Sequence, residues 1–143
     1  MKEIRRSAIV EHSAAAMYDL VDDIPSYPQF LPWCLGATVD DAGPPKRATL
    51  TAGLKGIRQS FTTLNENEAG RSIDMKLVKG PFRAFRATWR FAPLGENACQ
   101  VEFTMRFELA GGPIARLLGP LFNQMADTMV DAFTRRADEL HGR

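Results

Sequence analysis

The sharpest pattern along the chain is an alternation. In CQVEFTMRFEL, Cys99, Val101, Phe103, Met105, Phe107 and Leu109 share one parity, and Gln100, Glu102, Thr104, Arg106 and Glu108 share the other. A period of two with one apolar side predicts a strand with one dry and one wet face, as in an antiparallel sheet covered on one side. Weaker versions recur upstream. Ile4, Ala8 and Val10 alternate in KEIRRSAIVE. Ala48, Leu50, Ala52 and Leu54 do so before a tight turn at Lys55-Gly56. Ile57 and Phe61, then Ile73, Met75 and Leu77, then Phe85, Ala87, Trp89 and Phe91 continue the series. The polar run NENEAGR, 65–71, reads as a loop.

Two stretches break the period. AAAMYDLVDD, after a candidate N-cap at Ser13, predicts a short helix with Met17, Leu20 and Val21 on its apolar side. The C-terminal stretch repeats apolar residues at helical spacing: Ile114, Leu117, Leu118, Leu121, Phe122, Met125, Met129, Phe133, Ala137 and Leu140. Gly112-Pro113 suits a helix entry. From 113 to 140 such a helix is roughly 40 Å long, enough to cross a curved sheet. Pro120 removes the hydrogen bond to the Arg116 carbonyl and predicts a kink or break. Asp127, Asp131, Arg135 and Glu139 predict a solvated face with contacts four residues apart.

SYPQFLPWC, 26–34, fits neither period. It sets Tyr27, Phe30, Leu31 and Trp33 among Pro28 and Pro32. A second short helical turn ending at Pro32 is predicted, because the residue before proline avoids helical backbone. Four large apolar side chains in nine residues must cover something. They act either as a lid over a bound molecule or as a plug for the end of the core.

With 143 residues and 45% apolar composition, the chain suits a single domain, 1–143. A net charge of +1 argues against a protein driven onto nucleic acid by bulk charge and leaves open binding through a local basic patch; DNA is not expected as a partner. Cys34 and Cys99 form no CxxC pair and join no regularly spaced His/Cys set; they predict two buried, reduced thiols. No apolar run nears the roughly 20 residues of a membrane span, and a cytoplasmic protein is expected. His12 and His141 belong to no recognisable triad, Asp22-Asp23 reads as a helix-end pair, and AGGP at 110–113 is a turn. No catalytic cofactor or metal is expected.

YPQFLPWC at 27–34, KGPF at 79–82, the Trp89/Phe91 pair and MADTMVDAFTRRA at 125–137 resemble the coenzyme Q-binding, RatA-like branch of the START-like (polyketide cyclase/dehydrase and lipid transport) superfamily. The resemblance implies an α+β helix-grip fold: a curved antiparallel sheet of about seven strands wrapped around a long C-terminal helix, with two short helices after the first strand. It implies a non-catalytic protein holding ubiquinone or a related isoprenoid lipid, supporting respiratory electron transport or quinone biosynthesis. The alternative it carries is a ribosome-association toxin that binds the large subunit and hinders subunit joining. The PWC ending is closer to the quinone-linked members.

On the first reading, Tyr27, Phe30, Leu31 and Trp33 cover a ligand, and Phe82 stands at the mouth. Trp89, Phe103, Met105, Phe107, Leu118, Leu121, Phe122, Met125 and Met129 line the cavity. Each is equally a core residue by type; methionine suits both roles. Tyr27, Thr88, Thr104 and Gln124 are candidate donors to a quinone head. Lys79, Arg83 and Arg86 are candidate contacts to lipid headgroups at the inner face of a membrane. On the second reading the surface would be a basic outer patch of Lys46, Arg47, Arg58, Arg83, Arg86 and Arg90.

Overall fold

A computed structural model describes residues 1–142. The chain forms strand β1 (Lys2–Val10), helix α1 (Ala14–Asp22), a 3-10 helix (Ile24–Gln29), strands β2 (Cys34–Asp41), β3 (Lys46–Leu54), β4 (Ile57–Glu68), β5 (Ser72–Lys79), β6 (Phe82–Pro93) and β7 (Cys99–Leu109), and helix α2 (Pro113–His141). The strands make one antiparallel sheet in the order β1-β7-β6-β5-β4-β3-β2. The α2 helix packs on β7 and β1, with α1 beside it. This is the expected helix-grip architecture.

Alternation places the core. The dry parity of β7 is buried from Cys99 to Phe107, and it faces Phe85, Ala87, Trp89 and Phe91 of β6. The inner face of α2 supplies Leu118, Leu121, Phe122, Met125, Met129, Phe133 and Ala137, all buried. Ser13 caps α1 as expected, its hydroxyl accepting from the Ala16 N–H at 3.1 Å. The β3–β4 connection is a two-residue hairpin loop with Lys55 at φ 52° and Gly56 at φ 82°. Positive φ at both positions matches the right-handed twist of the paired strands. At the β5–β6 turn, a Cβ on Gly80 would lie 2.8 Å from the Phe61 Cβ, so only glycine lets the turn sit on that ring's backbone.

Several local expectations are corrected. The polar run 65–68 is strand, not loop: Asn65, Glu66, Asn67 and Glu68 pair with Met75, Asp74, Ile73 and Ser72. The asparagines keep the inward parity of Phe61 and Thr63 and find partners there. Asn65 accepts from the Thr63 hydroxyl at 2.8 Å; Asn67 donates to the Tyr18 hydroxyl at 3.0 Å and to the Asp22 carboxylate at 2.8 Å. Pro120 does not interrupt α2, which runs through it. Pro120 and Arg116 are exposed, so the Arg116 carbonyl that loses its helical donor can turn to water. The 3-10 helix stops at Gln29, before Pro32, because the Phe30 and Leu31 N–H groups both close on the Tyr27 carbonyl. Leu117 and Leu140, placed on the apolar face of α2, are 56% and 53% exposed; the Ile114 side chain lies outside what the structure describes. On the solvated face, Asp127 pairs across to Arg6 of β1 instead of along its own helix.

Candidate functional site

The stretch 24–33 closes a seam. The sheet curls so that its β2 edge and the α2 helix form the two jaws of the grip, and the 3-10 segment packs between them, against β2 on one side. Its aromatics meet α2 at Phe133: Tyr27 at 5.3 Å and Phe30 at 5.0 Å between ring centroids, both edge-on. Arg136 holds the outside, donating to the Gln29 amide oxygen at 2.7 Å and lying 5.2 Å over the Phe30 ring. Tyr27, Leu31 and Trp33 are buried, and Phe30 is half-buried. Burial of each such side chain stabilises by about 1.5–3 kcal/mol. Short proline-bounded turns are needed here because a regular helix could not place all four on the inner side of so tight a wrap.

The residues predicted to line a cavity are brought together, and they pack on one another. Phe82 lies 4.7 Å from Phe122 and 6.2 Å from Phe107. Phe122 also meets Phe61 at 5.7 Å and Phe107 at 6.4 Å. Farther along α2, Trp89 stands 4.7 Å from Phe103 and 5.2 Å from Phe133. Met105, Leu118, Leu121, Met125 and Met129 are buried in the same core. Phe61, Phe85 and Phe133 were missing from the predicted set although they share its parity or helical face.

None of the four expected head-group donors offers a free group to this interior. The Tyr27 hydroxyl donates to the Val21 carbonyl at 2.5 Å. Burial, with Asp22 nearby, pushes that phenol above its ordinary pKa. Thr88 donates to Asp74 at 2.8 Å, and Thr104 pairs across from it, both on the outer face of the sheet. Gln124 lines a surface groove of about 220 Å³ between the seam and α2, together with Phe30, Trp33, Thr128 and Arg135. An unpartnered polar group inside the grip went unnoticed in the sequence: the Trp89 indole N–H, fully buried and without a hydrogen-bond partner. The Trp33 indole N–H is unpartnered as well.

The basic outer patch is not one surface. Lys46 has inward parity and donates to the Asp22 carboxylate at 2.6 Å. Arg83 pairs with Glu108 at 2.9 Å, and Arg86 stands 3.6 Å from Asp74. Arg47, Arg58 and Arg90 lie on separate parts of the sheet. The same pairs occupy two of the three expected lipid contacts and leave Lys79 unpaired among the described residues. His12 is buried and lies 2.7 Å from Asp138, joining the start of α1 to the end of α2. Cys34 and Cys99 are buried free thiols; burial pushes Cys34 up to about 11. Among the described residues no group of His, Cys, Asp and Glu could hold a metal ion, and no helix is long and apolar enough to cross a membrane.

Comparison with known proteins agrees with this geometry. Residues 10–134 match the family model for polyketide cyclase / dehydrase and lipid transport. Over 140 residues the chain is 44% identical to the ribosome association toxin RatA of Pseudomonas aeruginosa, covering 97% of both chains. It is 28% identical over 146 residues to a coenzyme Q-binding protein COQ10 homolog B, mitochondrial, of Xenopus laevis, covering 99% of this chain and 60% of that one. A START superfamily protein from Mycobacterium smegmatis superposes with a TM-score of 0.81 at 20% identity, covering 96% of this chain and 98% of that one, which speaks to the fold alone. The chain therefore belongs to the polyketide cyclase / dehydrase and lipid transport family, in its RatA/COQ10-like branch.

Proposed function

We propose that this protein is a non-catalytic binding protein that associates with the ribosome. One observation carries the reading on the structural side. The side chains proposed to line a ligand cavity are buried and make ring contacts with one another, with Phe122 in contact with Phe61, Phe82 and Phe107. A partner of ribosomal size would meet the outside of the molecule. The 44%-identical relative named for ribosome association, matched over nearly its full length, supports the same assignment. Adding purified protein to a lysate and resolving it on a sucrose gradient tests it. The expected result is protein in the ribosomal fractions and a rise of free subunits over joined ribosomes. Protein confined to the top of the gradient, with an unchanged profile, contradicts it.

A second reading, quinone binding, rests on the Trp89 indole. A buried N–H without an acceptor costs about 1–3 kcal/mol, and a quinone carbonyl entering the grip would supply that acceptor. Rearrangement of the two ring clusters would have to accompany entry. Ubiquinone recovered at stoichiometric level from protein made in a quinone-producing host, and lost on Trp89→Phe, is the expected result. No quinone in the extract, and no binding of added ubiquinone, contradicts this second reading.

A further inference from the structure

The net charge of +1 conceals a segregation. No acidic residue occurs between Asp41 and Glu66, between Asp74 and Glu96, or between Glu108 and Asp127. The fold brings the middle of each of these three stretches to one end of the molecule. The β3–β4 hairpin tip carries Lys55 and Arg58; the β5–β6 turn carries Lys79; the first turns of α2 carry Arg116. The Ala110 N–H donates to the Pro81 carbonyl at 3.0 Å, tying the approach to α2 onto the β5–β6 turn. All four cations are exposed, and none has an ion-pair partner among the described residues. The positive pole of the α2 dipole faces the same end.

Shape adds to charge. The β5 strand ends at Lys79 opposite Thr62, so β4 and its partner β3 run on past the β5–β6 turn for residues 57–61. At about 3.3 Å per residue this is an overhang of roughly 15 Å. Its tip is Lys55-Gly56, a charged, glycine-bearing loop and not an apolar wedge; Leu54 and Ile57 beside it pair with each other and are half-buried. A lipid surface would be met by apolar side chains at such a tip, whereas exposed apolar side chains of this end, Val78 and Leu117, stand beside Lys79 and Arg116 and not on the hairpin tip. A polyanion's backbone is met by spaced, unpaired cations on protruding turns.

We infer that this end, through Lys55, Arg58, Lys79 and Arg116, docks on the phosphate backbone of structured RNA. The inference rests on the ribosome reading above and names the chemistry of the contact. Structured RNA is recognised largely by shape and phosphate contacts, which requires no base-reading side chains.

The test is cosedimentation of the purified full chain with separated ribosomal subunits at 100 mM salt, with anionic phosphatidylglycerol vesicles in parallel. The variants are Lys55→Glu/Arg58→Glu, Lys79→Glu/Arg116→Glu, the neutral pair Lys55→Gln/Arg58→Gln, and Arg71→Glu at the opposite end as control. Circular dichroism checks each fold. The expected result is binding by wild type and Arg71→Glu, with about a tenfold or greater loss in each double reversal and a smaller loss in the neutral pair. Wild-type affinity in the double reversals overturns this surface and leaves the ribosome reading in place. Failure of the wild type to bind either subunit overturns the ribosome reading and the inference with it. Recruitment to vesicles but not to subunits does the same and assigns the end to lipid.

Discussion

At the end where α1 meets the last turns of α2, charged side chains hold the fold together; at the opposite end, rings do that work, and although Arg83 pairs with Glu108, Lys55, Arg58, Lys79 and Arg116 have no ion-pair partner among the described residues. The first end is tied by polar contacts. The Asp22 carboxylate accepts from Lys46 at 2.6 Å and from Asn67 at 2.8 Å. His12 meets Asp138 at 2.7 Å, and Arg136 reaches Gln29. Asp40 accepts from the Thr49 and Thr38 hydroxyls, which hold its carboxyl below the usual range. The second end is sealed by Phe61, Phe82, Phe85, Phe107 and Phe122, whose ring contacts need no charge. A charge already used inside the molecule is a poor handle for a partner, because binding must first break its internal contact. The end built from rings is therefore the one with electrostatic freedom to bind.

That contrast can be broken at either end. The largest effect is expected at the ring cluster. Phe122→Ala removes the ring that Phe61, Phe82 and Phe107 share and should cost about 3–5 kcal/mol, read from the urea midpoint. A loss below 1 kcal/mol would mean the grip is loosely filled and would favour a ligand cavity. Next is Asp22→Ala, which strands the Lys46 ammonium and the Asn67 amide together. A loss of about 1–3 kcal/mol is expected; a neutral outcome would show that the polar end is not held by this carboxylate. Smallest is the double reversal Lys55→Glu/Arg58→Glu. Both side chains are exposed and unpaired among the described residues, so unfolding stability should stay within about 0.5 kcal/mol of wild type while subunit binding falls. A stability loss above 1 kcal/mol would show that these cations serve the fold.

The seam gives a pH dependence. Burial raises the pKa of the Cys34 thiol from 9.0 to about 11, and that of the Tyr27 phenol upward as well. The folded state therefore prefers both groups protonated. Their contribution is present in full below pH 9 and declines as pH climbs through 11. Denaturant midpoints should fall across that window in wild type, and less steeply in Cys34→Ala. Parallel curves for the two proteins would show that the thiol is not linked to closure of the seam.

The β7 alternation, the Ser13 cap, the Lys55-Gly56 hairpin and the inner stripe of α2 were legible because each depends on neighbours two to four residues away. The polar run 65–68 was not, because what makes it strand lies far off: Asn67 finds Tyr18 and Asp22, 49 and 45 residues upstream. At Pro120 the local rule held only in part: the Arg116 carbonyl loses its helical donor, but α2 continues, with Leu118, Leu121 and Phe122 buried on either side of the proline. The cavity set was found as a group of residues, since parity and helical spacing pick out the inward face. Whether that face is filled or hollow depends on side-chain volumes meeting across the grip, which no periodicity records. The cationic end escaped because net charge averages over the whole chain. The three acid-free stretches were visible, but only the fold shows that their centres share one end.

The most direct test of the account is the salt dependence of wild-type binding to the ribosomal subunit it sediments with. Four phosphate contacts predict that log affinity falls with log salt at a slope of about −2.8 to −3.6, roughly a 50- to 150-fold loss between 50 and 200 mM. Lys55→Glu/Arg58→Glu should flatten that slope by about 2. A slope near zero for the wild type, with binding intact, would contradict a phosphate contact at the cationic end and move the partner surface elsewhere on the molecule.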